Sequence, residues 1–227
     1  MTAASLAHHS SPADLLASGL LQIASAIDQK TQEKLLRYVS LLDKWNKVYN
    51  LTAVRDPQRM IGMHILDSLS ILSAVAKHQR LLDVGSGGGL PGIPLAIVLA
   101  TIAPDFHVTM LDTITKKTTF IRQVIGDLGL TNAMVVTERV ENYRPEKVFD
   151  AVISRAFSEL KDFVDGAGHL CAPDGRMLAM KGVHPFDEIA RLPGGYLVEE
   201  VVALQVPQVD GQRHLVVIKK TDQKYKA

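Results

Sequence analysis

Cysteine is almost absent from this chain of 227 residues, which contains only Cys171. A single cysteine cannot form an internal disulfide or a thiolate metal cluster. Histidine, aspartate and glutamate show no spacing typical of metal ligands either, so no metal site is predicted. Low cysteine usage is typical of proteins in a reducing compartment, and we expect a cytoplasmic protein.

Long apolar runs and targeting signals are also lacking. The longest apolar stretch, around residues 93–103, is too short to span a bilayer. The first apolar residues have no Lys or Arg ahead of them, unlike those of a secretory signal peptide. Residues 1–10 are small and polar without periodicity, and they are predicted to form a disordered tail. We therefore expect no membrane partner.

The chain has no strong charge of either sign, with 25 Lys and Arg against 24 Asp and Glu. This balance neither supports nor excludes a polyanionic partner, because attraction to phosphates depends on how charge is distributed. Apolar residues make up 47% of the sequence, which is enough for a core of ordinary size. Protein classes that are defined by an extreme amino-acid composition are therefore excluded.

The apolar pattern changes near residue 79. Residues 11–78 have a helical period, clearest over Gln29–Tyr49, and they predict an N-terminal helical extension. The last predicted helix of this extension covers residues 67–76. One face of that helix is apolar and carries Leu35, Tyr38, Leu42, Trp45 and Tyr49. Over residues 79–227 short apolar runs alternate with helical patterns, which predicts a parallel sheet covered by helices on both faces. The predicted helices in this part cover residues 91–100, 115–128 and 158–170.

Seven strands are predicted, the last two of them in a hairpin. The first five are residues 81–84, 107–111, 133–136, 151–154 and 176–180. Residues 196–206 and 214–219 are rich in β-formers and joined by a turn without a helix, so they should pair antiparallel. The expected fold is α/β and Rossmann-like, in one structural unit with the helical extension.

A glycine-rich segment, DVGSGGGLPG at residues 83–92, follows the first predicted strand. Gly85, Gly87 and Gly89 remove side chains where the chain turns tightly and allow a ligand to approach the backbone. The next helix would point its amide dipoles at that ligand. The segment thus predicts binding of a cofactor by backbone groups.

Three interpretations of this loop remain open: a site for S-adenosylmethionine, a site for a nicotinamide cofactor, and a purely structural turn. The dinucleotide pattern needs a third glycine where this chain has Leu90. Asp83 at the strand end is typical of methyltransferases, in which it recognises the amino acid end of the cofactor. The closing hairpin is typical of their sheet as well, so the methyltransferase interpretation is favoured.

Two further strand ends carry candidate cofactor residues. Asp112 ends the second predicted strand, where a carboxylate can accept hydrogen bonds from both ribose hydroxyls. The alternative is a helix cap or a solvated loop acid. Backbone groups near Val140 and Glu141, after the third strand, are candidates for the adenine edge.

Six motifs occur in order along the chain and together resemble one family. They are WNKVYNLT at 45–52, HILDSL at 64–69, DVGSGGGLPGIP at 83–94, SRAF at 154–157, MKG at 180–182 and RHLVV at 213–217. The sequence resembles the glucose-inhibited division protein B family, the small-subunit ribosomal RNA guanine-N7 methyltransferases. The resemblance covers nearly the whole chain from about residue 30.

This resemblance implies methyl transfer from S-adenosylmethionine, leaving S-adenosylhomocysteine, to N7 of the guanine conventionally numbered 527 in 16S ribosomal RNA. The RNA would be free or part of the small subunit, and a monomeric enzyme is expected. Cofactor contacts are implied at Gly85, Leu90, Val140, Glu141 and Arg155. The alternatives are another RNA or small-molecule acceptor, or a regulator that binds the cofactor without catalysis.

Guanine N7 carries a lone pair and no proton, so its methylation needs no general base. Arg155 and Lys181, at the ends of the fourth and fifth strands, are the candidate catalytic residues, because such donors match guanine O6 beside N7. Either could instead bind a loop or the cofactor carboxylate. His64 and Asp67 share one helix face and are interpreted as structural or as closing the cofactor pocket.

Basic residues near the predicted cleft are candidates for RNA binding. Lys116, Lys117 and Arg122 lie on one predicted helix, and Arg139 follows the third strand. Together they could form a rim that binds phosphates, although such clusters are most often solvated faces. Trp45 belongs to the apolar stripe and is interpreted as a core residue rather than a base-stacking platform.

Overall fold

A computed structural model describes residues 10–23, 27–157 and 159–221. Their strands form one sheet in the order β3-β2-β1-β4-β5-β7-β6, parallel except where β7 pairs with its two neighbours. The strands are β1 (Arg80–Val84), β2 (His107–Asp112), β3 (Ala133–Thr137), β4 (Phe149–Ser154), β5 (Cys171–Lys181), β6 (Tyr196–Ala203) and β7 (His214–Lys220). The predicted seven-stranded sheet and its closing antiparallel hairpin are confirmed.

The helices fall into an N-terminal group and a group that connects strands. The first group is α1 (Pro12–Ile23), α2 (Gln29–Tyr49), α3 (Pro57–Met60), a π-helical turn (Ile61–Leu66), α4 (Asp67–Leu69) and α5 (Leu72–Val75). The second is α6 (Gly92–Ile102), α7 (Thr115–Leu128), α8 (Leu160–Ala167), a 3-10 turn (Gly168–Leu170) and α9 (Phe186–Ala190).

Local sequence signals explain where the long helices begin and end. The Asp28 carboxylate accepts a hydrogen bond from the Thr31 N–H at 2.8 Å, which caps the start of α2. Helix α2 ends at Asn50 and α7 at Gly129, both in the left-handed conformation that stops a helix. The predicted bounds of α2 and α7 are therefore confirmed.

Three details of the helical pattern differ from the prediction. The helix predicted over residues 67–76 is broken into α4 and α5, and the π-helical turn before it was not predicted. The short helix α9 was missed, since its five residues give too few turns for a period. The predicted tail, apart from Ser10, and residue 158 of the predicted helix 158–170 lie outside the described residues.

The helical extension and the sheet share one apolar core. Leu35, Tyr38 and Leu42 of α2 are fully buried in the same cluster as Phe120 of α7. The ring of Trp45 lies 5.4 Å from that of Phe120, which confirms that Trp45 packs against the core. Among the helices that the structure describes, none combines the length and apolarity needed to traverse a bilayer.

The parallel strands direct their carboxyl ends to one edge of the sheet. In the sheet, β1 lies between β2 and β4. The chain therefore runs from the end of β1 toward β2 and from the end of β4 in the opposite direction, toward β5. Open α/β sheets bind ligands in the crevice at such a switch point. The glycine-rich loop after β1 and the SRAF segment after β4 both lie at this crevice.

Candidate active site

The glycine-rich loop is fixed to the second strand by backbone hydrogen bonds. The N–H groups of Gly85 and Ser86 both donate to the Leu111 carbonyl, at 2.8 and 3.1 Å. Gly85 has a φ of 71°, and a Cβ there would lie 2.7 Å from the Cβ of Ala156. A side chain at Gly85 would require an unfavourable backbone conformation and would clash with Ala156. The loop therefore keeps a bare backbone beside the crevice.

The Asp112 carboxylate joins the glycine-rich loop to the start of α7. One oxygen accepts from the Gly87 N–H at 2.8 Å and the other from the Ile114 N–H at 2.9 Å. The Lys117 ammonium lies 3.9 Å away, and the carboxylate is 7% exposed. Since each carboxylate oxygen can accept more than one hydrogen bond, Asp112 keeps capacity for a diol at the cleft.

Asp83 lies behind the loop and is fully buried. Its Oδ2 accepts from the Gly92 N–H at 2.9 Å, which fixes the start of α6, while Oδ1 has no hydrogen-bond partner among the described residues. Burial raises the pKa of Asp83 from 3.8 to about 7. Asp83 therefore shapes the loop from below, and its contact with a cofactor stays a prediction.

Two adjoining cavities follow the loop. The first, of about 280 Å³, is lined by Val84, Gly85, Leu111, Asp112, Thr113, Ile114, Lys117, Glu138, Val140, Ala156 and Phe157. The second, of about 170 Å³, is lined by Leu51, Thr52, Gly85, Ser86, Gly87, Gly88, Leu90, Arg155 and Ala156. They share Gly85 and Ala156, so together they form one elongated cleft.

Most predicted cofactor residues meet at this cleft. Gly85, Asp112 and Val140 line the first cavity, and Gly85, Gly87, Leu90 and Arg155 line the second. Gly89 lines neither: at a φ of 87°, a Cβ there would lie 2.6 Å from Ile93, so it allows the loop to pack on α6.

Sequence reasoning named Glu141 at the third strand, but the residue that lines the first cavity there is Glu138. Glu138 directly follows β3 (Ala133–Thr137), whose end lies one residue beyond the predicted one. Phe157, the last residue of the SRAF motif, was also missed as a lining residue. The strand end itself was the signal that could have found Glu138.

The helical extension contributes directly to the cleft. The buried Tyr38 hydroxyl donates to the Gly88 carbonyl at 2.6 Å, and burial raises the pKa of this phenol. Leu51 and Thr52, just after α2, line the second cavity. These roles were missed because Tyr38 looks like any member of the apolar stripe of α2.

Arg155 lines the second cavity, whereas Asp112 lines the first. The Ser154 hydroxyl donates to the Val84 carbonyl at 2.7 Å and accepts from the Ala156 N–H at 3.0 Å, which fixes the turn around Arg155. The Arg155 guanidinium then reaches the Asp67 carboxylate at 2.8 Å. The SRAF motif is thus a strand end that directs one cation into the second cavity.

His64 is a buried neutral base rather than an acid–base partner of Asp67. Its Nδ1–H donates to the Met63 carbonyl at 2.9 Å, and its Nε2 accepts from the Thr52 hydroxyl at 2.8 Å. Burial lowers the pKa of His64 from 6.5 to about 4. The structural interpretation of His64 fits these contacts.

The basic residues predicted to catalyse or to bind RNA differ in their surroundings. The Lys181 ammonium lies 2.7 Å from the Glu188 carboxylate and donates to the Phe157 carbonyl at 3.3 Å. Lys117 is half-buried beside the first cavity, next to Asp112. The other three predicted RNA-binding residues, Lys116, Arg122 and Arg139, are exposed and line neither cavity of the cleft.

The pKa shifts of Asp83 and His64 predict opposite effects of pH on the free energy of unfolding. The pKa of His64 falls on folding, so its contribution is complete above pH 6.5 and is lost as the pH falls toward 4. The pKa of Asp83 rises on folding, so its contribution is complete below pH 3.8 and is lost as the pH rises toward 7. We expect the two slopes to offset each other largely in the wild-type protein.

Single substitutions should expose each slope. We expect the unfolding free energy of Asp83→Asn to rise between about pH 4 and 6.5 relative to wild type, and that of His64→Gln to fall over the same range. Urea unfolding at several pH values measures both. Curves for both variants that run parallel to the wild-type curve would contradict the assignment.

Solved structures of methyltransferases have a similar fold. The O-methyltransferase TomG from Streptomyces achromogenes, solved in complex with SAM, matches 90% of this chain and 96% of its own with a TM-score of 0.56 at 14% identity. TrmN from Thermus thermophilus matches 71% of this chain and 53% of its own, with a TM-score of 0.54 at 18% identity. The fold is that of a class I, Rossmann-like methyltransferase.

Sequence relatives narrow this class to one family. The family model described as rRNA small subunit methyltransferase G, GidB, matches residues 31–216. The ribosomal RNA small subunit methyltransferase G of Chromobacterium violaceum is 54% identical, over 88% of this chain and 94% of its own. That of Pseudomonas aeruginosa is 50% identical, over 94% and 97%. The chain belongs to the rRNA small subunit methyltransferase G family, as its motifs predicted.

Proposed function

We propose that this protein transfers the methyl group of S-adenosylmethionine to N7 of guanine 527 in 16S ribosomal RNA. The observation that carries the proposal is the elongated cleft, whose first cavity is lined by Asp112 and whose second cavity is lined by Arg155. Family membership selects the RNA as the acceptor class. We further propose that the protein acts in the cytoplasm, as a monomer.

The residues of the cleft fit the proposed cofactor. Asp112 can accept from ribose hydroxyls, and Val140 and Phe157 provide apolar contact for an adenine ring in the first cavity. The amides of the glycine-rich loop would face the amino acid end in the second cavity. When bound, S-adenosylmethionine would supply a methyl group on a sulfonium sulfur, and the leaving group would be the neutral thioether of S-adenosylhomocysteine.

The chain itself has to position the base, since N7 has no proton to remove. No general base is therefore required. His64 is a neutral imidazole whose Nε2 already accepts a hydrogen bond from the Thr52 hydroxyl. Arg155 is our first candidate for a donor to guanine O6, which would hold N7 toward the cleft. Lys181 is our second candidate, although binding the base would require it to leave Glu188. Orientation and exclusion of water then supply the rate enhancement.

A labelling experiment tests the proposal directly. The purified protein is incubated with radiolabelled S-adenosylmethionine and small ribosomal subunits from a strain that lacks this gene. We expect label in 7-methylguanosine at a single site, and none on subunits from the parent strain, which are already modified. Label in another nucleoside, or transfer only to a small molecule, would replace the acceptor while keeping the fold.

The exposed cations of α7 provide a second prediction. We expect the double variant Lys116→Gln, Arg122→Gln to bind 16S RNA more weakly at low salt, with a shallower dependence of log affinity on log salt, because two phosphate contacts are removed. Filter binding between about 50 and 200 mM salt measures this. The double variant Lys30→Gln, Lys34→Gln on α2 is the control. Identical salt dependence in all three proteins would exclude a phosphate role for Lys116 and Arg122.

A further inference from the structure

A third cavity adjoins the cleft on the side of Arg155. It measures about 370 Å³, and its polar lining includes His64, Asp67, Arg155, Lys181 and Arg213. Arg155 lines both this cavity and the second one, so the two spaces meet at its side chain. A molecule in the third cavity would therefore lie next to the second cavity of the cleft.

The third cavity has an excess of positive charge. Arg155, Lys181 and Arg213 face a single carboxylate within its lining, that of Asp67. Glu188 forms an ion pair with Lys181 and offsets its charge. The charges that remain in the lining are those of Arg155, Arg213 and Asp67. His64 adds no charge near neutral pH, because burial lowers its pKa to about 4. The remaining charge favours an anionic occupant.

Asp67 connects the two arginines. Its Oδ2 lies 2.8 Å from Arg155 Nη1, and its Oδ1 lies 3.0 Å from Arg213 Nε. Arg213 also donates from Nη1 to the Gln212 carbonyl at 2.8 Å. Among the described residues, its Nη2 donates no hydrogen bond. Asp67 is 5% exposed, so each guanidinium is held on its inner side by a buried group.

Resting on the proposed function, we propose that the third cavity binds the acceptor nucleotide of the RNA. Arg213 binds a backbone phosphate of that nucleotide, and Asp67 is the positioning residue that holds Arg213 and Arg155 in place. The base then extends past Arg155 toward the cleft. Arg213 opens the RHLVV motif, and this arrangement gives that motif a role in binding the acceptor.

The test compares full-length Arg213→Gln and Arg213→Lys with the wild-type enzyme. Initial methylation rates are measured against the concentration of unmodified small subunits at several salt concentrations. For Arg213→Gln we expect a KM for the subunit about tenfold higher, with a slope of log KM against log salt shallower by about one. Arg213→Lys keeps the charge and should keep the slope. The Kd for S-adenosylhomocysteine, measured without RNA, should not change in either variant.

Two more variants separate phosphate binding from general structural damage. Arg176→Gln is the matched control, because Arg176 is also ion-paired and its side chain is 29% exposed against 25% for Arg213. We expect wild-type KM and slope from it. Asp67→Asn should raise the KM while leaving the slope unchanged, because both cations remain. Asp67→Asn with a wild-type KM would refute the positioning role.

The outcomes also distinguish this inference from the proposed function. If the wild-type enzyme labels no ribosomal RNA, the proposed function itself fails. If it labels the RNA and Arg213→Gln has the wild-type KM and salt slope, only the assignment of the third cavity fails. Should Arg213→Gln not fold, a salt slope for Arg213→Lys that is shallower by about one would overturn the assignment.

Discussion

Replacing Asp112 by asparagine should weaken binding of S-adenosylmethionine about a hundredfold. Charge-assisted hydrogen bonds contribute roughly 1.5–3 kcal/mol each, and the substitution removes the charge from two proposed bonds to ribose. Asparagine would also turn an NH2 group toward the Gly87 or Ile114 amide, each of which now donates to the carboxylate. Calorimetric titration with S-adenosylhomocysteine measures the loss.

Asp150→Asn is a closely matched control. The Asp150 carboxylate also accepts from two backbone amides, those of Gln79 and Arg80 at 3.1 and 3.0 Å, but at the opposite edge of the same sheet. Both amides donate to the same oxygen, Oδ2, so the amide oxygen of asparagine can accept both bonds while the carboxylate charge is lost, and we expect unchanged cofactor affinity. Equal affinities for Asp112→Asn and wild type would remove Asp112 from the cofactor site.

Replacing Phe120 by alanine should lower the free energy of unfolding more than any other substitution proposed for this chain. Phe120 is fully buried on α7, and its ring lies 5.4 Å from Trp45 and 6.4 Å from Tyr38, both on α2. Truncating a buried phenylalanine costs about 3–5 kcal/mol, which lowers the melting temperature of a chain of this size by roughly 10 °C. Differential scanning calorimetry should show one transition, because the helical extension and the sheet share this core.

Phe186→Ala provides the comparison, because Phe186 is 72% exposed. Its loss should change the unfolding free energy by no more than about 0.5 kcal/mol. Two separate transitions in the wild-type protein would mean that the extension and the sheet fold independently. Equal effects of the two substitutions would mean that the buried contacts of Phe120 do not stabilise the fold. A shared core also means that changes on α2 reach the glycine-rich loop through Tyr38.

The sheet could be predicted from sequence because its signals are local. Each parallel strand was predicted from a short apolar run, and several candidate residues at the cleft lie at a strand end or directly after one. Asp112 and Arg155 were found in this way. Helix α2 was equally readable, since its period extends over 21 residues between a capping Asp28 and the left-handed Asn50.

The polar network around Asp67 could not be predicted in the same way. Asp67 meets Arg155 and Arg213 across 88 and 146 residues of sequence, and no local pattern records such pairings. Tyr38 was interpreted as a core residue, because a buried tyrosine occupies the same positions of a helical period as a leucine. The single hydrogen bond of its hydroxyl leaves no trace in that pattern. Long-range polar contacts need the fold before they can be assigned, whereas strand ends do not.

The π-helical turn at Ile61–Leu66 determines which direction Asp67 faces. Such a turn is equivalent to an α-helix with one inserted residue, and each residue of an α-helix accounts for about 100° of rotation. Deleting one residue between Ile61 and His64 would restore regular helix and turn His64 and Asp67 about 100° relative to α3. Natural variation in this family should therefore tolerate substitutions in the turn far better than a change in its length.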